Sequence, residues 1–567
     1  MMTWDRVVDV VSIGSGGGGL LAALATAEAG GSAIVLEKRK LIGGSTAMSG
    51  GVVWLPNNPL MQDEGIKDSD AAGLEYFASV VGDVGPASSL ARRTTYITEG
   101  ARMVRLLQRL GVPLVRCPGY ADYYPDRPGG NAQGRSLEPA PYDGRQLGPL
   151  EKLIQPGMAA AFGLVVKTNE LRSVQHYNRS IRSFVTTASV WLRTVTSQLL
   201  GRRLLTNGTG LVAALVKAAR DLGAEIWHSS AVEELIVDGG RVVGVRVMID
   251  GKQVAIGARH GVVIAAGGFG HNARMRESYG GTQAVSGEWS MANDGDTGEV
   301  IRAALQLGAQ ADLMDEAWWL PGPDASLGKS TLGQARQRAG TIIVDASGRR
   351  FVNESNSYVE VGKAIFARNA EVPAIPSWLI FDDGYRRRYA NSKDVPGRLH
   401  KSWFASGHLK KADTLSELAL LCGIDSEGLA DTVERFNANA ANGVDPDFGR
   451  GSTAYNQCLG DPGRVPNPSL APLDRGPYYA TAIYPRDVGT CGGLLADEFG
   501  RVLHEGGAPI PGLYATGNST ATVMGRHYLG AGASIGYSMV FGYVGARHAM
   551  DSPAAELQSV DSGVLAP

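Results

Sequence analysis

Val7-Val8-Asp9-Val10-Val11-Ser12-Ile13 runs into Gly14-Ser15-Gly16-Gly17-Gly18-Gly19, an Ala/Leu-rich stretch follows from Leu20 to Ala29, and Ser32-Ala33-Ile34-Val35-Leu36 ends on Glu37. The first run is apolar and β-branched and reads as a buried strand. The Leu20–Ala29 stretch reads as a helix and Ser32–Leu36 as a second strand. Strand, glycine turn, helix and strand make one βαβ unit. The glycines of the G-x-G-x-x-G spacing act differently. Gly14 permits the tight turn, Gly16 lets backbone approach a pyrophosphate, and Gly19 allows close helix–strand packing. The helix N-terminus offers free N–H groups to phosphates. Glu37, at the end of the second strand, is placed to accept from a ribose 2′-OH. The stretch predicts a dinucleotide site.

Comparable strands recur at Gly261–Ala266, before Gly267-Gly268, and at Gly512–Ala515, before Thr516-Gly517-Asn518. The expectation is an α/β protein with a Rossmann-like FAD-binding domain assembled from separated segments, 1–314 and 489–567. An α+β catalytic domain is inserted at 315–488, where Pro, Trp and Tyr rise and the βα rhythm weakens. FAD is preferred to NAD because glycines continue past Glu37, as Gly43-Gly44-Ser45-Thr46 and Ser49-Gly50-Gly51. A second backbone-rich loop suits a cofactor extending beyond the first turn.

The bulk composition bounds the function. Of 567 residues 44% are apolar, enough for a large core. Lys and Arg number 54 against 56 Asp and Glu, which argues against a nucleic-acid binder. Cys117, Cys422, Cys458 and Cys491 form no CxxC pair, so neither a metal site nor a disulfide framework is expected. Without signal-peptide features or a bilayer-length apolar run, a soluble cytoplasmic enzyme is the expectation. Residues 160–205 are helix-prone and carry Lys167, Arg172, Arg179, Arg182, Arg193, Arg202 and Arg203 against one acid, Glu170. They read either as a solvated helical cover or as a basic, partly apolar surface that rests on a membrane.

Several longer stretches carry a family resemblance. They include Gly43 through Asn58, Gly119-Tyr120-Ala121-Asp122-Tyr123-Tyr124-Pro125, and Asp315-Glu316-Ala317-Trp318-Trp319. Further along come Gly348-Arg349-Arg350-Phe351-Val352-Asn353-Glu354, Asp487 to Gly493, and Gly525-Arg526-His527-Tyr528-Leu529-Gly530-Ala531-Gly532. Over nearly its whole length the chain resembles the fumarate reductase/succinate dehydrogenase flavoproteins, and within them the bacterial 3-ketosteroid dehydrogenases.

The resemblance implies a flavin between two domains, and a 3-ketosteroid whose ring A loses a proton to a base and a hydride to flavin N5. By matching position Tyr358 is the base, Tyr123 its hydrogen-bonded helper, and Tyr528 with the Gly532 N–H holds the C3 oxygen. Tyr120, Trp318 and Trp319 are candidates for the substrate wall, and His527 for a neighbour of the site. The cofactor contacts extend to Lys38, Val232, Ala266, Gly267, Asn293 and Asp296, then to Gly517, Asn518, Ser534 and Ile535. No covalent-FAD histidine motif is found, so the FAD is expected to be non-covalent, with an unidentified electron acceptor. The chemistry agrees: proton loss beside a ketone builds charge on its oxygen, which two preorganised donors stabilise. A phenol is a poor base at a free pKa of about 10, so a neighbouring phenol is a sensible partner.

Three departures stand out. The family's Tyr-Pro-Gly-Pro-Gly loop is Tyr528-Leu-Gly-Ala-Gly532 here, Ser357 stands where relatives carry Pro, and Met291-Ala-Asn-Asp-Gly-Asp296-Thr-Gly298 has an altered order. Gly530, where Δ4-(5α) enzymes often carry Ser, leans the reading towards C1–C2. The alternatives are a 3-keto-5α-steroid Δ4-dehydrogenase and a reductase of an activated alkene.

Overall fold

In the computed structural model β1 (Arg6–Ile13) turns through Gly14 into α1 (Gly17–Glu28), and β2 (Ala33–Leu36) follows. Gly14 sits at φ +102°, and a Cβ there would lie 2.3 Å from the Ala265 carbonyl oxygen, so only glycine fits the turn. Residues 3–157, 163–280, 287–329, 334–389, 396–399 and 401–557 are described. Residues 160–162 of the basic segment lie outside them.

The chain continues through α2 (Gly44–Met48), α3 (Ile181–Leu199), α4 (Asn207–Asp221), β3 (Glu225–Trp227), β4 (Ala231–Asp238), β5 (Arg241–Ile249) and β6 (Lys252–Ile264). A second group comprises β7 (Ala317–Gly322), β8 (Thr341–Val344), α5 (Tyr358–Asn369), β9 (Ser377–Asp382), β10 (Leu409–Ala412) and β11 (Tyr478–Thr490). The chain then returns with β12 (Arg501–Leu503), β13 (Pro509–Ala515) and α6 (Ala533–Asp551).

The first sheet has the order β12-β13-β6-β1-β2-β3, with the β4–β5 hairpin joined to β6. Ile13 is level with Leu36 and with Ile264, and Ile264 with Ala515, all in parallel register. Four strands drawn from three distant parts of the chain therefore end at one edge. A crevice outside the carboxyl ends of parallel strands is where such sheets bind ligands. Helix α1 is buried from Gly17 to Thr26, because α6 covers the side turned away from the sheet. That explains an Ala/Leu/Gly helix with no polar face. The second sheet, β7-β11-β9-β8 with β10 on β11, is entirely antiparallel.

Candidate active site

The loops leaving the aligned strand ends form the cradle that the sequence assigns to a cofactor. Gly16 caps α1 without a side-chain bond, and the first turn holds no acid. The Gly17 N–H donates to the Thr46 hydroxyl at 3.0 Å, which brings the second glycine loop against the first. Glu37 is buried and fixed: Oε2 accepts from the Ser15 hydroxyl at 2.6 Å, and Oε1 from the Arg39 N–H at 2.9 Å. Val232, in β4, lies just beyond Ser230, whose N–H bonds the Glu37 carbonyl. Ser45 links the next segment, donating to Asp296 at 3.1 Å and accepting from the Asn293 N–H at 2.8 Å. Lys38 bonds the Thr297 hydroxyl at 2.7 Å and pairs with Glu299.

Burial pushes the Asp296 carboxyl up to about 7, against the pull of Ser45 and Lys38. Asp296 also presses on Gly267, where a Cβ would lie 2.3 Å from Oδ1. Asn518, after β13, accepts from the Trp318 indole at 3.1 Å. Gly50 and Gly51 are locked to the 168–208 segment, Thr168 donating to the Gly50 carbonyl at 2.8 Å. Two uncapped helix N-termini, those of α1 and α6, with clustered glycines and a ribose-type carboxylate fit a flavin dinucleotide.

Beside this cradle four tyrosine rings meet. Tyr123 and Tyr358 stand edge to face at 5.8 Å, Tyr123 and Tyr528 stack at 5.6 Å, and Tyr358 and Tyr528 are 5.2 Å apart. Tyr455 approaches Tyr123 to 4.5 Å, and Trp318 meets Tyr528 edge-on at 5.0 Å. Tyr358 is the first residue of α5, and Tyr528 lies in the loop before α6. The Tyr528 hydroxyl is 3.0 Å from the Ser534 hydroxyl. Gly532 caps α6 in the left-handed region at φ +91°, and a Cβ would lie 2.1 Å from the Val52 carbonyl oxygen. Among the described residues no acceptor is bonded to the Gly532 N–H. A free amide at a helix N-terminus beside a phenol is the pair of donors that an oxyanion requires.

Two buried frames hold these side chains. In one, Asp122 accepts from the Trp54 indole at 2.7 Å and from Arg135 at 2.8 Å, while Arg135 also binds Asp68 at 2.7 Å. The next residue, Tyr123, then bonds the Leu529 carbonyl through its N–H at 3.0 Å, tying the two tyrosine loops together. In the other, Arg450 bonds Ser355 at 3.1 Å and Glu354 at 3.2 Å, while Arg336 bonds the Asn356 carbonyl at 2.7 Å. This fixes the turn that presents Tyr358. Burial drives the Tyr358 and Tyr123 phenols well above their ordinary value, and neighbouring phenols add to it. Burial likewise lowers Arg336 to about 10, and its remaining charge counters the burial of Tyr455.

Trp318 and Trp319 are both substrate-wall candidates in the sequence, and the strand separates them. Adjacent residues of β7 face opposite ways. Trp319 donates to Glu316 at 2.7 Å, packs on Phe366 at 4.7 Å and lies under Arg276, away from Tyr528. It is a core residue. Tyr120 is half-buried against the core beside the cluster. His527 sits 3.5 Å from Glu360, which also accepts from Tyr124 at 2.8 Å. Tyr455 and Arg336 escape sequence reading altogether: neither sits in a recognisable motif, and only the fold brings them to Tyr123.

A dinucleotide cradle with a phenolic, amide-tipped site at its edge defines an FAD-dependent oxidoreductase. The model of the FAD binding domain matches residues 9–535. The 3-oxosteroid 1-dehydrogenase of Mycolicibacterium smegmatis is 40% identical over 563 residues, covering 96% of this chain and 98% of that one. The 4-oxocyclohex-2-ene-1-carboxylate 5-dehydrogenase of Sinomonas cyclohexanicum is 36% identical, covering 95% and 93%. The crystal structure of the 3-ketosteroid delta1-dehydrogenase of Sterolibacterium denitrificans with 1,4-androstadiene-3,17-dione superposes with a TM-score of 0.90 at 33% identity, covering 96% of this chain and 100% of that one. The chain belongs to the 3-oxosteroid 1-dehydrogenase family of FAD-binding flavoproteins.

Proposed function

We propose that this enzyme removes one hydrogen from each of C1 and C2 of a 3-oxosteroid, leaving a C1–C2 double bond. The observation that carries the reading is the meeting of Tyr358, Tyr123 and Tyr528 beside the free Gly532 N–H, at the edge of the cofactor cradle. FAD, when bound, supplies the hydride acceptor. The remaining steps belong to the chain. Tyr528 and Gly532 donate to the C3 oxygen, which acidifies the C–H at C2. Tyr358, acting as its phenolate, takes that proton and becomes a neutral phenol, with Tyr123 in ring contact beside it. Trp318 covers the Tyr528 ring and helps exclude water. An electron acceptor then reoxidises the cofactor. The parallel sheet supports an FAD domain at 1–314 and 489–567, and the antiparallel sheet a substrate domain at 315–488.

Anaerobic mixing of the yellow enzyme with androst-4-ene-3,17-dione, its 5α-reduced analogue and 4-oxocyclohex-2-ene-1-carboxylate tests this reading. Bleaching by the first, with a 1,4-diene-3-one as product, is expected. Bleaching by the 5α-steroid alone, giving a 4-ene, moves the reaction to C4–C5. A response only to the cyclohexene ketone replaces the steroid by a small ring.

A peripheral membrane contact belongs to the same proposal. Helix α3 buries Ser183, Val190, Thr194 and Ser197, yet exposes Ile181 at 85%, Phe184 at 62% and Trp191 at 58%, with Val185 and Leu192 beside them. That inverts the usual helix of a water-soluble surface. The basic count is smaller outside than the sequence suggests, because Arg193 pairs with Glu170 at 2.6 Å, Lys167 with Glu138 at 3.4 Å, and Arg172 bonds the Gly460 carbonyl at 3.1 Å. Arg182, Arg202 and Arg203 remain exposed at the two ends of the helix. An apolar stripe flanked by arginines suits a helix lying in the interface of an anionic membrane, where a sterol is dissolved. Among the described residues no helix is long and apolar enough to cross a membrane.

A further inference from the structure

A polar cavity of about 410 Å³ opens where the segment leading into α3 meets the substrate domain, lined by Arg179, Arg387, Arg388, Arg464 and Arg475 with Asp382 and Asp474. The charges are unequally answered. Arg387 pairs with Asp383 and Arg388 with Asp461, and Arg475 lies 3.8 Å from its neighbour Asp474. Asp382 is occupied by backbone, accepting from the N–H groups of Tyr385, Asp474 and Arg475 at 2.8, 3.2 and 3.0 Å.

Arg179 and Arg464 are left. Among the described residues neither has a carboxylate within ion-pair distance. The side chain of Arg179 bonds the Arg388 carbonyl at 3.3 Å, and the Arg464 Nε is buried without an acceptor among the described residues. Two unanswered guanidinium groups at one cavity call for an anion, and the planar fork favours a phosphate or carboxylate. The place of the cavity selects between sources. Arg179 precedes Ser180, the N-cap of α3, and Ile181, the most exposed apolar side chain of the helix, is two residues away.

We propose that the cavity formed by Arg179 and Arg464 receives the phosphate of an anionic phospholipid when α3 lies on a membrane. The proposal rests on the membrane reading above and adds to it a specific headgroup site. Seating the headgroup fixes the N-terminal end of α3, and with it the orientation of the enzyme on the sterol-bearing surface.

The experiment is co-sedimentation of the FAD-loaded enzyme with vesicles of phosphatidylcholine alone and with phosphatidylglycerol added, at fixed ionic strength. Three proteins are compared: the unaltered enzyme, Arg179→Gln/Arg464→Gln, and Trp191→Glu/Leu192→Glu. The unaltered enzyme is expected to prefer the phosphatidylglycerol vesicles, and the double-arginine variant to lose roughly 10- to 30-fold of that preference. That variant should keep residual binding to phosphatidylcholine and full turnover of steroid in solution. The Trp191→Glu/Leu192→Glu variant should lose both vesicle types. If the arginine variant matches the unaltered enzyme on both, the headgroup site is wrong while the membrane reading stands. If the unaltered enzyme sediments with neither vesicle, both fall. Calorimetry with inorganic phosphate separates the remaining source: saturable binding lost in the arginine variant, with no phosphatidylglycerol preference, would assign the cavity to a soluble phosphate and overturn the lipid.

Discussion

The ring of Tyr123 stands edge to face on that of Tyr358, with centroids 5.8 Å apart. One comes from a loop braced by the Trp54–Asp122–Arg135 frame, the other from the first turn of α5. A phenol that burial makes too weakly acidic thus has a second phenol against it.

Replacing Tyr358 with Phe should lower steroid turnover by about 100- to 10,000-fold. The visible flavin spectrum should be unchanged, because Tyr358 lies outside the cradle. Unaltered turnover at full flavin content would remove Tyr358 from the role of base.

Tyr528→Phe should cost about 100- to 1000-fold in kcat, the usual effect of losing one oxyanion donor. Gly532→Ala is a poorer probe. Its left-handed backbone and 2.1 Å approach to the Val52 carbonyl predict misfolding of the loop before any loss of chemistry can be read. Stopped-flow reduction of the flavin with Tyr528→Phe isolates the chemical step.

Burial raises Tyr358 and Tyr123 well above their ordinary value, so the proton-accepting form stays scarce and the rate should keep climbing with pH through about 9 without levelling off. Arg336→Met removes a buried positive charge from the cluster, which raises the phenols further and moves the profile to higher pH. Below these raised values turnover should then fall by the same factor at every pH and level off only at a higher pH, and Arg336→Lys should recover part of it. A lower rate with the levelling-off pH unmoved would assign Arg336 only to holding the turn before Tyr358.

Asp296 gives a pH dependence of opposite sign in stability. Its folded value, about 7, lies above the usual 3.8, so the folded state binds more protons than the unfolded one between those limits. Stability of FAD-free protein should therefore fall as pH rises through that window and level off above it. Asp296→Asn should flatten the curve in thermal melts taken at about pH 5 and about pH 8.

The exposed face of α3 allows a second occupant. If Trp191→Glu/Leu192→Glu converts a dimer into a monomer by light scattering and leaves vesicle binding unchanged, the stripe is a contact between two copies. Loss of vesicle binding by a protein of unchanged mass is expected.

Much of the cofactor site is written locally. Gly14, Gly16, Gly19 and Glu37 declare themselves because a turn, a backbone approach and a strand end are short-range events with fixed spacing. That the strand ends at Ile13, Leu36, Ile264 and Ala515 share one edge is foreseeable only as a rhythm of similar segments; the parallel register is what aligns them. Tyr358, Tyr123 and Tyr528 stand out through motif resemblance, while their contact distances come from loops joined through Leu529 and from arginines remote in sequence.

By itself, then, the sequence determined the βαβ cofactor unit, the cofactor class and the tyrosine motifs, since these depend on neighbours within a few dozen residues. Only the tertiary structure decided that Trp318 meets Tyr528 while Trp319 packs on Phe366, that Tyr455 and Arg336 join the phenols, and that α3 turns its apolar face outward. Those outcomes depend on which elements cover which faces, and burial is settled by the whole packed molecule.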